Sequence, residues 1–357
     1  MALTRTYYRV AEHLFAVESS NTALWNVMSN YEPFRVERKI NDNIDNVSRQ
    51  STPCRDTDME CEKHSDCIFT LRVERGDSAP QKSADFSGTP QAIRREGEGY
   101  THVVTDNAEE DMPRIEVYRA IRREGDEARE WLFRVAMVAN APICCEMECS
   151  EAFTEGVLRI AADCQDVRFC IDNALMLLFA FRTAPMMTLE MHAAVVVKSS
   201  LEDAPEAKGE RRKARGYLFL GHSGTGKSTH ARQWLAAFDD AWLLNDDNPI
   251  LRVMEDGEVR VYGSPWSGKT PCYNNAYARV GGIVKLSQAP HNKIRTISLP
   301  EAYAYILSSA SGLKMDRQMA DHLHETVKHV VMNVECYHLE CLPNTEAAEE
   351  CWEEVRF

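Results

Sequence analysis

The sequence predicts an α/β fold in which a mainly antiparallel β half precedes a half that mixes strands with helices. Three observations carry this. Short β-rich runs separated by polar insertions fill the first half. Apolar residues recur at helical spacing from Val167 onward. Beyond Gly216, apolar runs alternate with amphipathic segments, as in strands packed beneath helices. At ~150 residues per domain, the 357 residues suffice for about two domains, divided here at 1–165 and 166–357.

Composition narrows the function classes. Hydrophobic residues make up 44% and charged residues 27%, ordinary for a globular chain and unlike a disordered or fibrous one. Lys and Arg number 41 against 55 Asp and Glu, a net charge of −14. That balance argues against nucleic acid as a general partner, because phosphate backbones are held by an excess of basic side chains. Any phosphate must be gripped locally. Met1 to Ser20 contain no apolar h-region, and the apolar run Ala174–Ala180 is too short to span a bilayer. The expectation is a cytoplasmic protein with no membrane partner. Its 12 Cys then read as reduced thiols rather than a disulfide framework.

Along the first half, Tyr7–Val10 and Leu14–Val17 predict a hairpin turning at Glu12 and His13. Ile68–Val73, Tyr100–Val104, Ile115–Ile121 and Trp131–Val138 continue as strands, with Arg122–Ala128 as the turn of the last hairpin. Glu37–Asp66 and Glu74–Glu98 are polar enough to read as long surface loops. In the second half, Val167–Phe181 predicts a buried helix and Thr188–Lys198 a strand. Ser199–Arg215 is basic through Lys208, Arg211, Arg212, Lys213 and Arg215, either a phosphate patch or a solvated hairpin loop. Gly216–Leu220 is a buried strand and His230–Phe238 lies on a helix. Strands follow at Trp242–Leu244, Ile250–Val253, Val259–Tyr262 and Gly282–Leu286. Ser298 and Glu301 form a capping box that opens a helix to about Ser308. Leu313–Val331 predicts a second helix, Cys336–Leu342 a strand and Thr345–Val355 a closing helix.

One motif dominates. Gly221-His222-Ser223-Gly224-Thr225-Gly226-Lys227-Ser228 fits G-x-x-x-x-G-K-[ST], placed between a predicted strand and a predicted helix. Glycines permit positive φ, so successive backbone N–H groups can turn around a phosphate, and the helix N-terminus favours an anion there. Lys227 can set an ammonium on the outer phosphates, and Ser228 offers a hydroxyl to Mg²⁺. Four fixed positions match by chance in a chain of this length on the order of one time in a hundred. The nucleotide is therefore expected on Gly221, Ser223, Gly224, Thr225, Gly226, Lys227, Ser228 and Thr229.

Downstream, Leu243-Leu244-Asn245-Asp246-Asp247-Asn248 ends an apolar strand in adjacent carboxylates. One can hold hydrated Mg²⁺ while the other accepts a proton from an attacking hydroxyl. Tyr262–Lys269 reads in two ways. It is either an active-site loop whose Lys269 binds phosphate or acceptor, or a tight turn with Trp266 packed in the core. Cys61, His64 and Cys67 lack the spacing and fourth ligand of a zinc site, and Cys144, Cys145 and Cys149 lack a partner set. Both groups read as structural or surface thiols. His222 and His230 read as helix-end or surface residues, and Met176–Phe181 as core.

The glycine loop at 221–229 with tandem Asp at 246–247 resembles the HPr kinase and phosphoenolpyruvate carboxykinase group. Tyr-Gly-Ser-Pro-Trp-Ser-Gly-Lys at 262–269 and Asn-Asp-Asp-Asn at 245–248 are similar to HPr-kinase-related proteins of unassigned substrate. The resemblance is clear over His192–Asn248 and looser to the C-terminus. It implies a P-loop kinase domain of that type behind the N-terminal β domain, with Lys227 on the β- and γ-phosphates and Ser228 on Mg²⁺. Asp246 and Asp247 would supply the base, for which Asp246 is favoured, and a metal contact, for which Asp247 is. His192 would hydrogen-bond near the reacting phosphoryl group. Residues 261–269 lack the acidic residue that these kinases carry after the tandem Asp. The expected activity is ATP- and Mg²⁺-dependent transfer of a γ-phosphoryl group to a serine-type hydroxyl on an unidentified protein, peptide or small molecule; the sequence leaves the oligomeric state open, although kinases of this group commonly form homo-oligomers. A non-catalytic nucleotide-binding regulatory module and a carboxykinase are the alternatives.

Overall fold

The computed structural model describes residues 2–37, 67–75, 93–95, 98–106, 113–121, 130–199, 214–268 and 270–356. Most of the two expected polar loops, the turn at 122–128, the basic run at 200–213, Cys61, His64 and Lys269 lie outside the described residues.

Two sheets of mostly antiparallel strands, with few helices, make a mixed α/β architecture. The first sheet holds β1 (Thr4–Val10), β2 (His13–Ser19), β3 (Arg35–Val36), β4 (Thr70–Arg75), β5 (Ile93–Arg95), β6 (Glu98–Asp106), β7 (Arg114–Ile121), β8 (Trp131–Ala136), β9 (Ile143–Cys149) and β10 (Glu155–Ile160). Their spatial order is β3-β1-β2-β4-β10-β9-β8-β7-β6-β5. The β1–β2 hairpin forms as expected, although its turn residues Ala11 and Glu12 both take positive φ (47° and 65°). Neither is the Gly or Asn that such a turn favours.

A short helix, α1 (Leu24–Val27), follows β2, and α2 (Val167–Thr183) follows the first sheet. Asp166 caps α2 by accepting from the Phe169 amide at 2.9 Å. The helical stretch 167–186 is long and apolar enough to cross a bilayer, but here it packs between the sheets with over half of its apolar window buried.

The second sheet comprises β11 (Thr188–Glu190), β12 (Ala193–Ser199), β13 (Ala214–Leu220), β14 (Trp242–Asp247), β15 (Ile250–Val253), β16 (Val259–Tyr262), β17 (Tyr277–Gln288), β18 (Lys293–Thr296) and β19 (Cys336–Cys341). Its path runs β11-β15-β16-β17-β13-β12-β14, and β19 joins β17 in parallel and β18 in antiparallel register. Four more helices complete it: α3 (Lys227–Ala237), α4 (Leu299–Ser309), α5 (Arg317–Asn333) and α6 (Thr345–Val355). The capping box at Ser298 and Glu301 is present. Three expectations change. Thr188–Lys198 is split at Met191 and His192 into strands that pair with different partners. β9 and β10, absent from the sequence reading, occupy the middle of the first sheet. The second C-terminal helix starts at Arg317, where Asp316 caps it, rather than at Leu313.

The sheets change over between Ile160 and Thr188, yet one apolar core runs through both. Phe179 of α2 is fully buried and touches the rings of His13, Phe15 and Trp266. Phe179→Ala should therefore lower stability to urea by about 3–5 kcal/mol in a single transition. Met332→Ala, at a position 65% exposed, should change it by no more than about 0.5 kcal/mol.

Candidate functional site

Strand register alone brings the sequence motifs together. β12 runs antiparallel to both β13 and β14, with Ala193 opposite Leu220 on one side and Asp247 on the other. His192 before β12, Gly221 after β13 and the tandem Asp ending β14 therefore meet at one edge of the sheet.

The glycine loop there is turned, not extended. Gly224 (φ 75°) and Gly226 (φ 108°) are left-handed, and open space surrounds the position a Cβ would take at each. Gly226 leads directly into α3, whose first N–H groups have no partner within the helix. The Thr225 amide donates to the His222 carbonyl at 3.2 Å, and the Gln288 side chain at the end of β17 donates to the Gly224 carbonyl at 3.1 Å. Lys227 is buried, and its Nζ donates to the carbonyls of Gly221 (2.9 Å) and His222 (3.2 Å). Ser228 and Thr229 lie half-buried in the first turn of α3.

Across from the loop, Asp247 Oδ1 lies 3.8 Å from His192 Nε2, with both side chains partly open to solvent. Burial raises the Asp247 carboxyl above the ordinary aspartate range; Asp246 adds to the rise, while His192 and Lys227 oppose it. Asp247 also has φ 138°, a strained conformation for a residue with a Cβ. The 262–268 segment holds it there. The Gly268 amide donates to the Asp246 carbonyl at 2.6 Å, Ser267 bridges to Asp247, and Ser264 Oγ donates to the Asn248 carbonyl at 2.5 Å. Of the two readings of that segment, the packed turn describes Trp266. Its ring is 2% exposed, abuts Phe179, and donates from Nε1 to the Tyr31 hydroxyl at 2.9 Å.

A cleft of about 1310 Å³ joins these groups. Gly221, Ser223, Gly224, Thr225, His192 and Asp247 line its polar end. Asp246 is nearly fully buried instead, at 3% exposure. Toward the first sheet the wall is apolar, built from Ile115, Val117, Phe169, Met176, Leu177 and Phe181. Part of the Met176–Phe181 run, expected as core, therefore faces this space.

Three wall residues carry no motif. Glu190, two residues before His192, is 1% exposed, and neither carboxyl oxygen has a hydrogen-bond partner among the described residues. Burial, reinforced by Asp247, raises its carboxyl well above the usual range. Lys285 sits with Nζ 4.3 Å from the Tyr305 ring centre and 3.2 Å from its hydroxyl. Gln288 is the loop's side-chain partner. An acid inside the apolar run Met187–Met191 was the one visible signal for Glu190. Nothing in sequence marked Lys285 or Gln288.

The flanking histidines divide. His222 is exposed in the cleft wall. His230, expected at a helix end or the surface, lies near the start of α3 but is buried, accepts from Trp234 Nε1 at 3.0 Å, and is lowered to about 4 by burial. It is a neutral core residue.

No protein-family model matches the chain, and no curated protein matches it either.

Because the Glu190 carboxyl is raised on folding, its contribution to stability is complete below the unfolded carboxyl range. It is lost as pH climbs toward the folded value. Urea titrations should show the native chain losing up to about 1.4 kcal/mol per pH unit in that window, a slope that Glu190→Gln should flatten.

Proposed function

We propose that the cleft binds ATP with Mg²⁺ and transfers the γ-phosphoryl group to a hydroxyl acceptor, within a P-loop kinase-type second half. The supporting observation is the shared sheet edge, where an open loop with two left-handed glycines faces His192 and Asp247. The fit to a triphosphate is physical. Nothing fills the space over Gly224 and Gly226, and the Lys227 ammonium is bonded to loop carbonyls beneath.

Ser228 and one carboxylate of the tandem pair would hold Mg²⁺, which neutralises charge on the phosphates. Lys227 would move its donors from the carbonyls of Gly221 and His222 to phosphate oxygen. The acceptor oxygen attacks the γ-phosphorus, the bond to the β,γ-bridging oxygen breaks, and the hydroxyl proton passes to a carboxylate. Asp247 suits that proton better than Asp246, because it reaches the cleft and burial makes it a stronger base. His192, 3.8 Å from Asp247, would orient it and hydrogen-bond to the transferring group. The apolar wall supports an acceptor whose hydroxyl is carried on a hydrophobic or partly hydrophobic body.

Calorimetric titration with ATP and Mg²⁺, followed by incubation of labelled ATP with a fractionated lysate, tests this directly. Lys227→Ala should abolish detectable ATP binding or cut turnover by about 10²–10³. Asp247→Asn should retain ATP binding and lower kcat by about 10²–10⁴, with Asp246→Asn less damaging to kcat. Unchanged turnover in both Lys227→Ala and Asp247→Asn would remove the assignment. The acid limb of the kcat profile should lie above the ordinary aspartate range, since the base must be ionised to act.

A further inference from the structure

Far along the chain from the glycine loop, the first sheet and α2 enclose a cluster of thiols. Cys144 comes from β9, Cys164 from the turn after β10, and Cys170 from the start of α2. All three are buried, and their sulfurs lie within 4.8 Å of one another. Cys145, also buried, lies next to Cys144 in the chain but outside that set of three. The sequence shows only a Cys-Cys pair and two distant cysteines; the fold supplies the partner set that spacing did not reveal.

Those sulfurs are held from three directions. The Ala161 amide donates to the Cys144 carbonyl at 2.9 Å, and the Cys164 amide to the Ala161 carbonyl at 3.1 Å, folding the turn over β9. Arg75 Nη2 grips the same turn through the Ala162 carbonyl at 3.2 Å. Asp166 caps α2 and fixes the helical turn that carries Cys170.

The spacing discriminates among roles. Cys164 Sγ and Cys170 Sγ are 3.6 Å apart. A disulfide needs about 2.05 Å. A tetrahedral thiolate site with metal–sulfur bonds of about 2.3 Å has sulfur–sulfur edges of roughly 3.8 Å. Three buried thiols converging at this spacing are the kind of ligand set that a borderline-soft d¹⁰ cation takes. The cluster also lies at the N-terminal end of α2, where the helix dipole favours thiolate.

We infer that Cys144, Cys164 and Cys170 bind zinc and clamp the first sheet to α2. Each bound thiol gives up its proton to solvent as its sulfur takes a place on the cation, so no redox step is involved. Three buried thiolates would fill three of the four tetrahedral positions, with Cys145 the neighbouring thiol in the chain.

The test is made on the full chain, with zinc as the probe. Protein purified without chelator should carry about one equivalent of zinc by elemental analysis. Strong chelation should lower the thermal midpoint and expose about three additional titratable thiols. Cobalt added to the chelated protein should give the intense ligand-field and sulfur charge-transfer bands of tetrahedral thiolate coordination. Cys164→Ser and Cys144→Ser should each reduce bound zinc at least about tenfold, consistent with loss of one of three thiolate ligands. Cys341→Ser, in the half-buried β19 thiol outside the cluster, should leave it unchanged. A folded wild-type chain that neither retains nor takes up zinc overturns the inference, as does a Cys164–Cys170 disulfide found by mass spectrometry in freshly purified protein. None of these readouts depends on nucleotide binding.

Discussion

The pairing of β12 between β13 and β14 is the constraint on which the candidate site rests. Val195 and Val197 pack in one buried core with Leu218 and Leu220, and Ala194 and Val196 in another with Tyr217 and Phe219, so a slip of one residue would exchange the side chains that fill two packed cores. Once that register is set, His192, Gly221 and Asp247 share an edge. A register shift between Val195 and Val196 on the β14 side adjusts the reach of Asp246 and Asp247 without disturbing the pairing to β13.

At that edge, acid is concentrated and poorly solvated. Glu190, Asp246 and Asp247 are near one another in sequence or space, two of them almost fully buried. Lys227 is bonded to main-chain carbonyls and Lys285 to Tyr305. Burial raises Glu190 and Asp247, which favours their holding protons until cationic charge is brought to them and suits a ligand arriving with a divalent ion. The strained main chain at Asp247 fits the same view, because the Ser264–Gly268 segment and its buried Trp266 hold that conformation.

Much of the second half was legible because its signals are local. The glycine loop, the capping box and the helical spacing of Val167–Phe181 each state their geometry within a few residues. The tandem Asp was legible as chemistry, but which carboxylate opens to the cleft depends on strand facing and was not. β9 was missed although Cys145-Glu146-Met147-Glu148-Cys149 alternates, because acids hold its polar positions. Its Glu146 and Glu148 are buried, each paired to an arginine on a neighbouring strand, Arg134 and Arg159. Polar residues at core positions hid the strand from a hydrophobicity pattern. The thiol cluster was invisible for a related reason: its members are assembled by packing, not by spacing.

The role of α2 has a further consequence. Its Phe179 serves the first sheet through Phe15 and the second through Trp266, while Asp172 accepts from Tyr31 on one side and from Arg168, itself donating to Tyr273, on the other. A helix with obligations in both directions cannot be assigned to either sheet. Recombination that joined one half to a foreign counterpart would leave an oily flank without its mate, so inheritance of these two sheets is expected to be joint, as a single unit rather than as exchangeable parts.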